Sequence, residues 1–177
     1  LSTGGTGDGD LFNGGAARVG GLEAAATWRG PFTQGAVSVP VRFAYTYTSA
    51  EFQNAFQSQY GPWGTVEPGF ELPYVPRHQA SATVDVEHDG WRARLDATYV
   101  GTMRTVAGES AIAADRSTDA YFVIGLSGEY TLTPAARLFA SVQNATDRVY
   151  IVGRHPAGVR PGLPRTAMIG LKLNLSR

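Results

Sequence analysis

Four arginines and a histidine crowd the stretch NATDRVYIVGRHPAGVRPGLPR: Arg148, Arg154, His155, Arg160 and Arg165. Three prolines and three glycines punctuate it, so it reads as a braced loop. A guanidinium presents a planar fork of donors matched to carboxylate or phosphate oxygens. Such a loop suits an anionic ligand, and it suits equally a loop whose arginines anchor it to its own surroundings. Other chemistry is poorly provided for. His78, His88 and His155 are scattered without metal-ligand spacing, and no serine has a nucleophile-elbow context. GGTGDGDLF (Gly4–Phe12) lacks the Lys-Ser/Thr of a phosphate-binding loop. It resembles one calcium-binding β-roll nonapeptide, but its aspartate is misplaced and a lone copy has nothing to stack on, so it reads as a loop. Asn-Ala-Thr at Asn144 has the letters of a glycosylation acceptor but falls at a strand end. No catalytic role and no resident metal or cofactor is expected.

The bulk composition agrees. Formal net charge is zero, which excludes a basic nucleic-acid binder, and with no cysteine there is no disulfide or thiolate site. Glycine reaches 22 residues while only 17% of the chain is charged, a balance that suits a turn-rich β-protein.

The elements that would position these loops show as strict alternation. In HDGWRARLDATYVG (His88–Gly101), Arg92, Arg94 and Asp96 take one face; Trp91, Ala93, Leu95, Ala97 and Tyr99 take the other. The same pattern recurs with lesser clarity along the chain, predicting seven strands near 17–29, 36–48, 79–88, 91–101, 119–130, 136–144 and 165–175. A stub of an eighth is expected near Asp10–Asn13, a bulge near Gly20–Gly21, and Pro40 lies awkwardly inside the second strand.

The connections alternate in length. Gly30–Gly35, Asp89–Gly90 (a type I′ hairpin signal) and Leu132–Ala135 are short; Ala50–Arg77, Thr102–Thr118 and Ala145–Pro164 are long. In an antiparallel meander that puts all tight turns at one end and all extended loops at the other, as in transmembrane β-barrels. On the apolar faces Trp28, Trp91 and Tyr130 fall at the short-turn end, and Tyr45, Tyr47 and Tyr99 toward the long loops. Trp91 to Tyr99 spans roughly 26 Å of strand, or roughly 19 Å of depth at a tilt of about 45°. Two aromatic girdles around an apolar band place the oily face in lipid and the charged face in a wet interior. A soluble sandwich or lipocalin-like barrel, with the oily face inward, shares the alternation but not the girdles.

The end of the chain resembles TonB-dependent outer-membrane receptors, especially the ferric-citrate and related siderophore branch. The resemblance rests on Val142, Asn144, Asp147 and Tyr150, then Arg154, Pro156, Gly158, Pro161, Gly162, Pro164 and Arg165, leading into a last strand with Gly170 and Leu171. ELPYVPRHQ (Glu71–Gln79) resembles the segment re-entering the barrel from a large surface loop, and ARVGGLE a further recurrent strand. Asn-Ala-Thr-Asp stands where the family usually has Asn-Leu-Phe-Asp.

The resemblance implies that residues 1–177 form the C-terminal part of an antiparallel transmembrane barrel of about 22 strands, with the plug domain and earlier strands outside this stretch. It implies a bacterial outer-membrane receptor that binds a ferric chelate (ferric citrate or another siderophore) and imports it by coupling to the TonB complex. The iron chelate would be cargo, not a cofactor, and outer-membrane lipid the surrounding partner. Candidate ligand contacts are Arg104, Arg116, Arg154 and Arg160, with Gln57 and Gln59 as neutral donors and Tyr60 and Trp63 as aromatic walls; Arg104 and Arg116 come first. The alternative is a small closed outer-membrane barrel with a structural or adhesion role.

Overall fold

The computed structural model describes residues 2–3, 11–12, 15–29, 37–155 and 158–174. Seven long strands form one antiparallel sheet: β1 (Ala17–Trp28), β2 (Val41–Phe52), β3 (His78–His88), β4 (Trp91–Val100), β5 (Tyr121–Thr133), β6 (Ala136–Gln143) and β7 (Thr166–Leu173). Their order is β7-β6-β5-β4-β3-β2-β1, so each strand pairs with its neighbour in sequence. Among the described residues no helix is long and apolar enough to cross a membrane, which says nothing of strands.

Several expectations shift. Leu11–Phe12 pairs with Ser2–Thr3 in a separate two-stranded piece and does not add an eighth strand to the sheet. The second strand starts at Val41, not at 36, because Pro40 has no N–H to give the ladder. The Pro40 carbonyl still accepts from Asp85 N at 3.0 Å, and Ser38 exchanges two bonds with Glu87, so the chain stays beside β3. No bulge interrupts Gly20–Gly21: pairing runs unbroken from Ala17↔Phe52 to Trp28↔Val41. Gly21 marks a close approach, since a Cβ there would run into the Tyr47 carbonyl. The irregularity lies instead between β5 and β6, where Ala136 pairs with Thr133 but Arg137 with Thr131. At Asp89–Gly90 only the glycine has positive φ (80°), so the turn is not type I′, which needs both. The Gly30–Gly35 connection lies outside the described residues, as do residues 4–10 of the Gly-rich stretch and the chain's last three residues.

Alternation survives in the register. One face carries Leu22, Phe43, Leu95, Leu126, Leu138, Ile169 and Leu171, open to the surroundings, with Leu22 64% and Ile169 73% exposed. The other carries ions. Asp85, only 1% exposed at its side chain, sits between Arg42 Nη1 at 2.9 Å and Arg94 Nε at 2.6 Å. Glu87 pairs with Arg92 at 2.9 Å and Glu129 with Lys172 at 2.7 Å.

Register also sets the slant of the strands. Trp28 shares a cross-strand row with Val41, Val84 and Leu95. The aromatic at that end of β4, however, is Trp91, four residues further on. Three strand spacings are roughly 14 Å and four residues roughly 13 Å. Bringing both tryptophans to one depth therefore tilts the strands by roughly 42°, within the range of about 35–45° for transmembrane barrels. The buried hydrophobics Ala50, Phe52, Val66, Val100 and Tyr150 all lie at the other end, where the long loops pack on one another.

Candidate functional site

The first long loop folds on an aromatic knot. Phe56–Gln57 pairs with Thr65–Val66, and Trp63 meets Phe52, Phe56 and Tyr60 edge-on at centroid distances of 5.7–6.0 Å. Further along, Glu71 pairs with Arg77 and accepts from Arg104 Nε at 2.8 Å, while Arg104 Nη2 donates to the Ser110 carbonyl at 3.0 Å. Tyr74 binds all three loops together. Its N–H donates to the Arg104 carbonyl at 2.9 Å, and its hydroxyl accepts from the amides of Arg154 and His155 at 3.1 and 3.0 Å. The residue takes the left-handed region (φ 61°) to do so, a conformation that costs a non-glycine roughly 1–2 kcal/mol.

The second loop holds a short 3-10 turn, Ala114–Arg116. Arg154 clamps it from the third loop, donating from Nε to the Ser117 carbonyl at 2.6 Å and from Nη2 to the Ala114 carbonyl at 3.0 Å. The third loop is itself tied at its root. Asn144, buried and at φ 48°, donates to the Arg148 and Leu163 carbonyls and accepts from Arg148 N. Tyr150 stacks on Tyr121 with centroids 4.2 Å apart, and Gly162 lies flat against the Tyr150 ring where no Cβ would fit.

Between the three loops is a cavity of about 730 Å³. Trp63 and Phe70 come to it from the first loop, Thr105, Asp115 and Arg116 from the second, Arg154 and His155 from the third. Thr105 is 1% exposed, and its Oγ1 is a buried hydroxyl without a hydrogen-bond partner among the described residues. Among the described residues no cluster of three or more histidines and carboxylates is arranged to hold a metal ion.

The family model for TonB dependent receptor-like β-barrels matches residues 1–145. The chain belongs to that family. A search of the curated proteins finds no match. Among solved structures, the ferric citrate transporter FecA in its unliganded form aligns over 88% of this chain and 24% of its own, at 22% identity and TM-score 0.66. The siderophore receptor PiuA of Acinetobacter baumannii aligns over 89% and 22%, at 15% identity and TM-score 0.65. The ferric yersiniabactin uptake receptor FyuA of Yersinia pestis aligns over 90% and 24%, at 18% identity and TM-score 0.65. The chain thus spans about a quarter of the length of these receptors, and identities this low establish the shared fold alone.

Within this TonB-dependent receptor barrel, the candidate contacts separate into three groups. Trp63, Arg116 and Arg154 line the same cavity. Gln57 and Arg160 do not; Gln57 lies in the small hairpin and Arg160 against Gly153 in the third loop. Arg104, a first choice from sequence, is 5% exposed and tied to Glu71 and Ser110, so its guanidinium joins two loops and has no open face toward the cavity. Burial also draws its pKa below the usual arginine value. Arg154 gives two of its N–H donors to carbonyls but lines the cavity with no ion pair among the described residues. Arg116 is exposed, with no ion pair or side-chain hydrogen bond among the described residues. Sequence reasoning missed Tyr74 and Thr105. Tyr74 stands in Pro-Tyr-Val-Pro, a rigid setting that marks a fixed backbone, whereas nothing local distinguishes Thr105.

Proposed function

We propose that this chain is one part of the barrel wall and three extracellular loops of a bacterial outer-membrane receptor that imports a ferric chelate through the TonB complex. The oily face then meets lipid, the charged face lines the interior, and the loop cluster forms part of the chelate-binding mouth. The observation that carries the reading is the convergence of all three long loops, at one end of an open-faced sheet, on one cavity edged by the free guanidinium of Arg116. Ion-paired groups on the interior face and slanted strands with aromatic ends support it. The role is binding and transport, with the iron chelate as cargo and no catalytic step. β1 and β7 each have a single neighbour in the sheet, and hydrocarbon does not tolerate unpaired edges, which favours a wall segment over a small closed barrel.

The test is uptake of radioactive iron, supplied as ferric citrate and as siderophore complexes, by cells carrying the complete receptor with and without an intact TonB complex. Uptake that needs both is expected. Equal uptake in cells lacking the receptor refutes the reading.

A further inference from the structure

We propose that the oily face carries a seat for one acyl chain of a diacyl phospholipid, lying across strands β3 to β6 in the leaflet at the short-turn end. The proposal rests on the reading above that this face meets lipid, and adds one preferred place for a lipid on it.

The seat is a hollow of about 560 Å³. Its floor is the cross-strand row Ala93, Gly128 and Ala140. Leu95, Leu126 and Val142 stand along its upper side, and Val84 and Val86 close the β3 end. Trp91, Tyr130 and Leu138 form the next row below. Arg94, Ser127 and Ser141 also border the hollow, but strand alternation turns their side chains to the ion-paired face, where Arg94 holds Asp85. The side chains that face the hollow are therefore all apolar.

Gly128 is an independent observation. Its φ is not positive, no bulge falls at Ala93↔Gly128↔Ala140, and a Cβ would meet only the Arg92 carbonyl at 3.5 Å, an ordinary contact. The fold thus does not require a glycine there. What remains among the causes of a glycine inside a strand is the close approach of a ligand or another backbone.

Width and depth identify the occupant. Four residues separate the Trp91–Tyr130 row from the Leu95–Leu126 row, roughly 13 Å between Cα positions, and large side chains on both rows fill part of that gap. An α-helix, about 10–12 Å across with its side chains, is too wide for what is left; a single extended hydrocarbon chain is not. At the slant of roughly 42°, each strand spacing from β4 to β6 lifts the row by about 3 Å, so the floor runs from about 5 Å to about 11 Å above the level of Trp91. In an apolar band about 25 Å tall, that is the half belonging to the short-turn leaflet. A chain from that leaflet reaches the floor, whereas one from the long-loop side would have to cross the midplane.

The experiment counts lipids on the complete receptor by native mass spectrometry, after delipidation in detergent and titration with palmitoyl-oleoyl phosphatidylethanolamine. Gly128→Leu combined with Ala140→Leu fills the floor, and Ala24→Leu enlarges the same face on β1, away from the hollow. A Cβ at Gly128 has room and Ala140 is exposed, so both variants should fold, checked by heat-modifiable mobility. Ala140→Leu alone gives the same readout should the pair hinder folding. The native barrel and Ala24→Leu should bind one lipid more tightly than the rest, and the filled variant should bind it about fivefold or more weakly, having lost the contacts along the floor. Equal binding by filled and native barrels overturns the seat. A native barrel that folds in detergent, imports iron and binds all its lipids alike also overturns the seat, while leaving the lipid-facing reading intact. A complete receptor that stays in solution without detergent overturns that reading and the seat together.

Discussion

Replacing Tyr74 by Phe removes one oxygen and nothing else. The backbone keeps its left-handed φ of 61° and the Arg104 carbonyl keeps its bond from the Tyr74 amide. What is lost is the shared acceptor for the amides of Arg154 and His155, at 3.1 and 3.0 Å. Each such bond contributes a net 0.5–1.5 kcal/mol or so; sharing one oxygen and lying only partly buried keeps the pair near the low end, for a total of about 1–2 kcal/mol. That corresponds to a roughly 5–30-fold larger population of the opened segment. Hydrogen exchange on the complete receptor reads it directly: the Arg154 and His155 amides should lose protection by that factor. The Ile151 amide, held by Asp119 Oδ2 at 2.8 Å, should not change and serves as the control. Unchanged exchange at Arg154 and His155 would refute Tyr74 as the tie between first and third loops.

Other outcomes can be checked on the same receptor. Leu95→Arg, on the oily face near mid-depth, should cost about 2–4 kcal/mol in a lipid-refolding titration, whereas Thr98→Arg on the opposite face should cost far less. Asn144→Ala strips partners from the Arg148 amide and from the Arg148 and Leu163 carbonyls, and should lower stability by about 3 kcal/mol. Asn144→Asp keeps the acceptor but turns a carboxylate onto two carbonyl oxygens, which raises its pKa in the folded state. Its penalty should therefore grow as pH rises from about 4 to neutrality, visible as a falling thermal midpoint. Gly162→Ala puts a methyl group into the Tyr150 ring and should cost about 1–3 kcal/mol, with loss of the near-ultraviolet signal of the Tyr121–Tyr150 stack.

Strands β3, β4 and β7 were legible because each turns one unbroken apolar row and one polar row to opposite sides, a period set by backbone geometry alone. β2 was displaced by about five residues at its start because Pro40 interrupts the ladder without interrupting the apolar pattern. The supposed bulge at Gly20–Gly21 was a side-chain pattern fault; the pairing itself continues, with glycine serving a close backbone approach. The true irregularity near Thr131–Thr133 follows from a pairing across strands that no single segment records. The loops were harder for the same reason. Arg104 and Glu71 are 33 positions apart, and Tyr74 and His155 81, so sequence showed the cations but not which were already spent. Only Arg116, among the leading candidates, stands open where the charge pattern placed it.

The ion-paired face has a consequence for anything that moves along it. By register that face carries Arg42, Arg92, Arg94, Arg137 and Lys172 against Glu23, Asp85, Glu87, Asp96 and Glu129. Five cations against five anions leave that face of the seven described strands neutral in sum, though strongly polar at each point. Opposite charges this close cancel one another's potential within a few ångströms, well inside the roughly 8 Å over which salt would screen them. On the receptor reading proposed above, this stretch of wall offers a passing anion no electrostatic well of its own, so any hold on it comes from elsewhere than these strands.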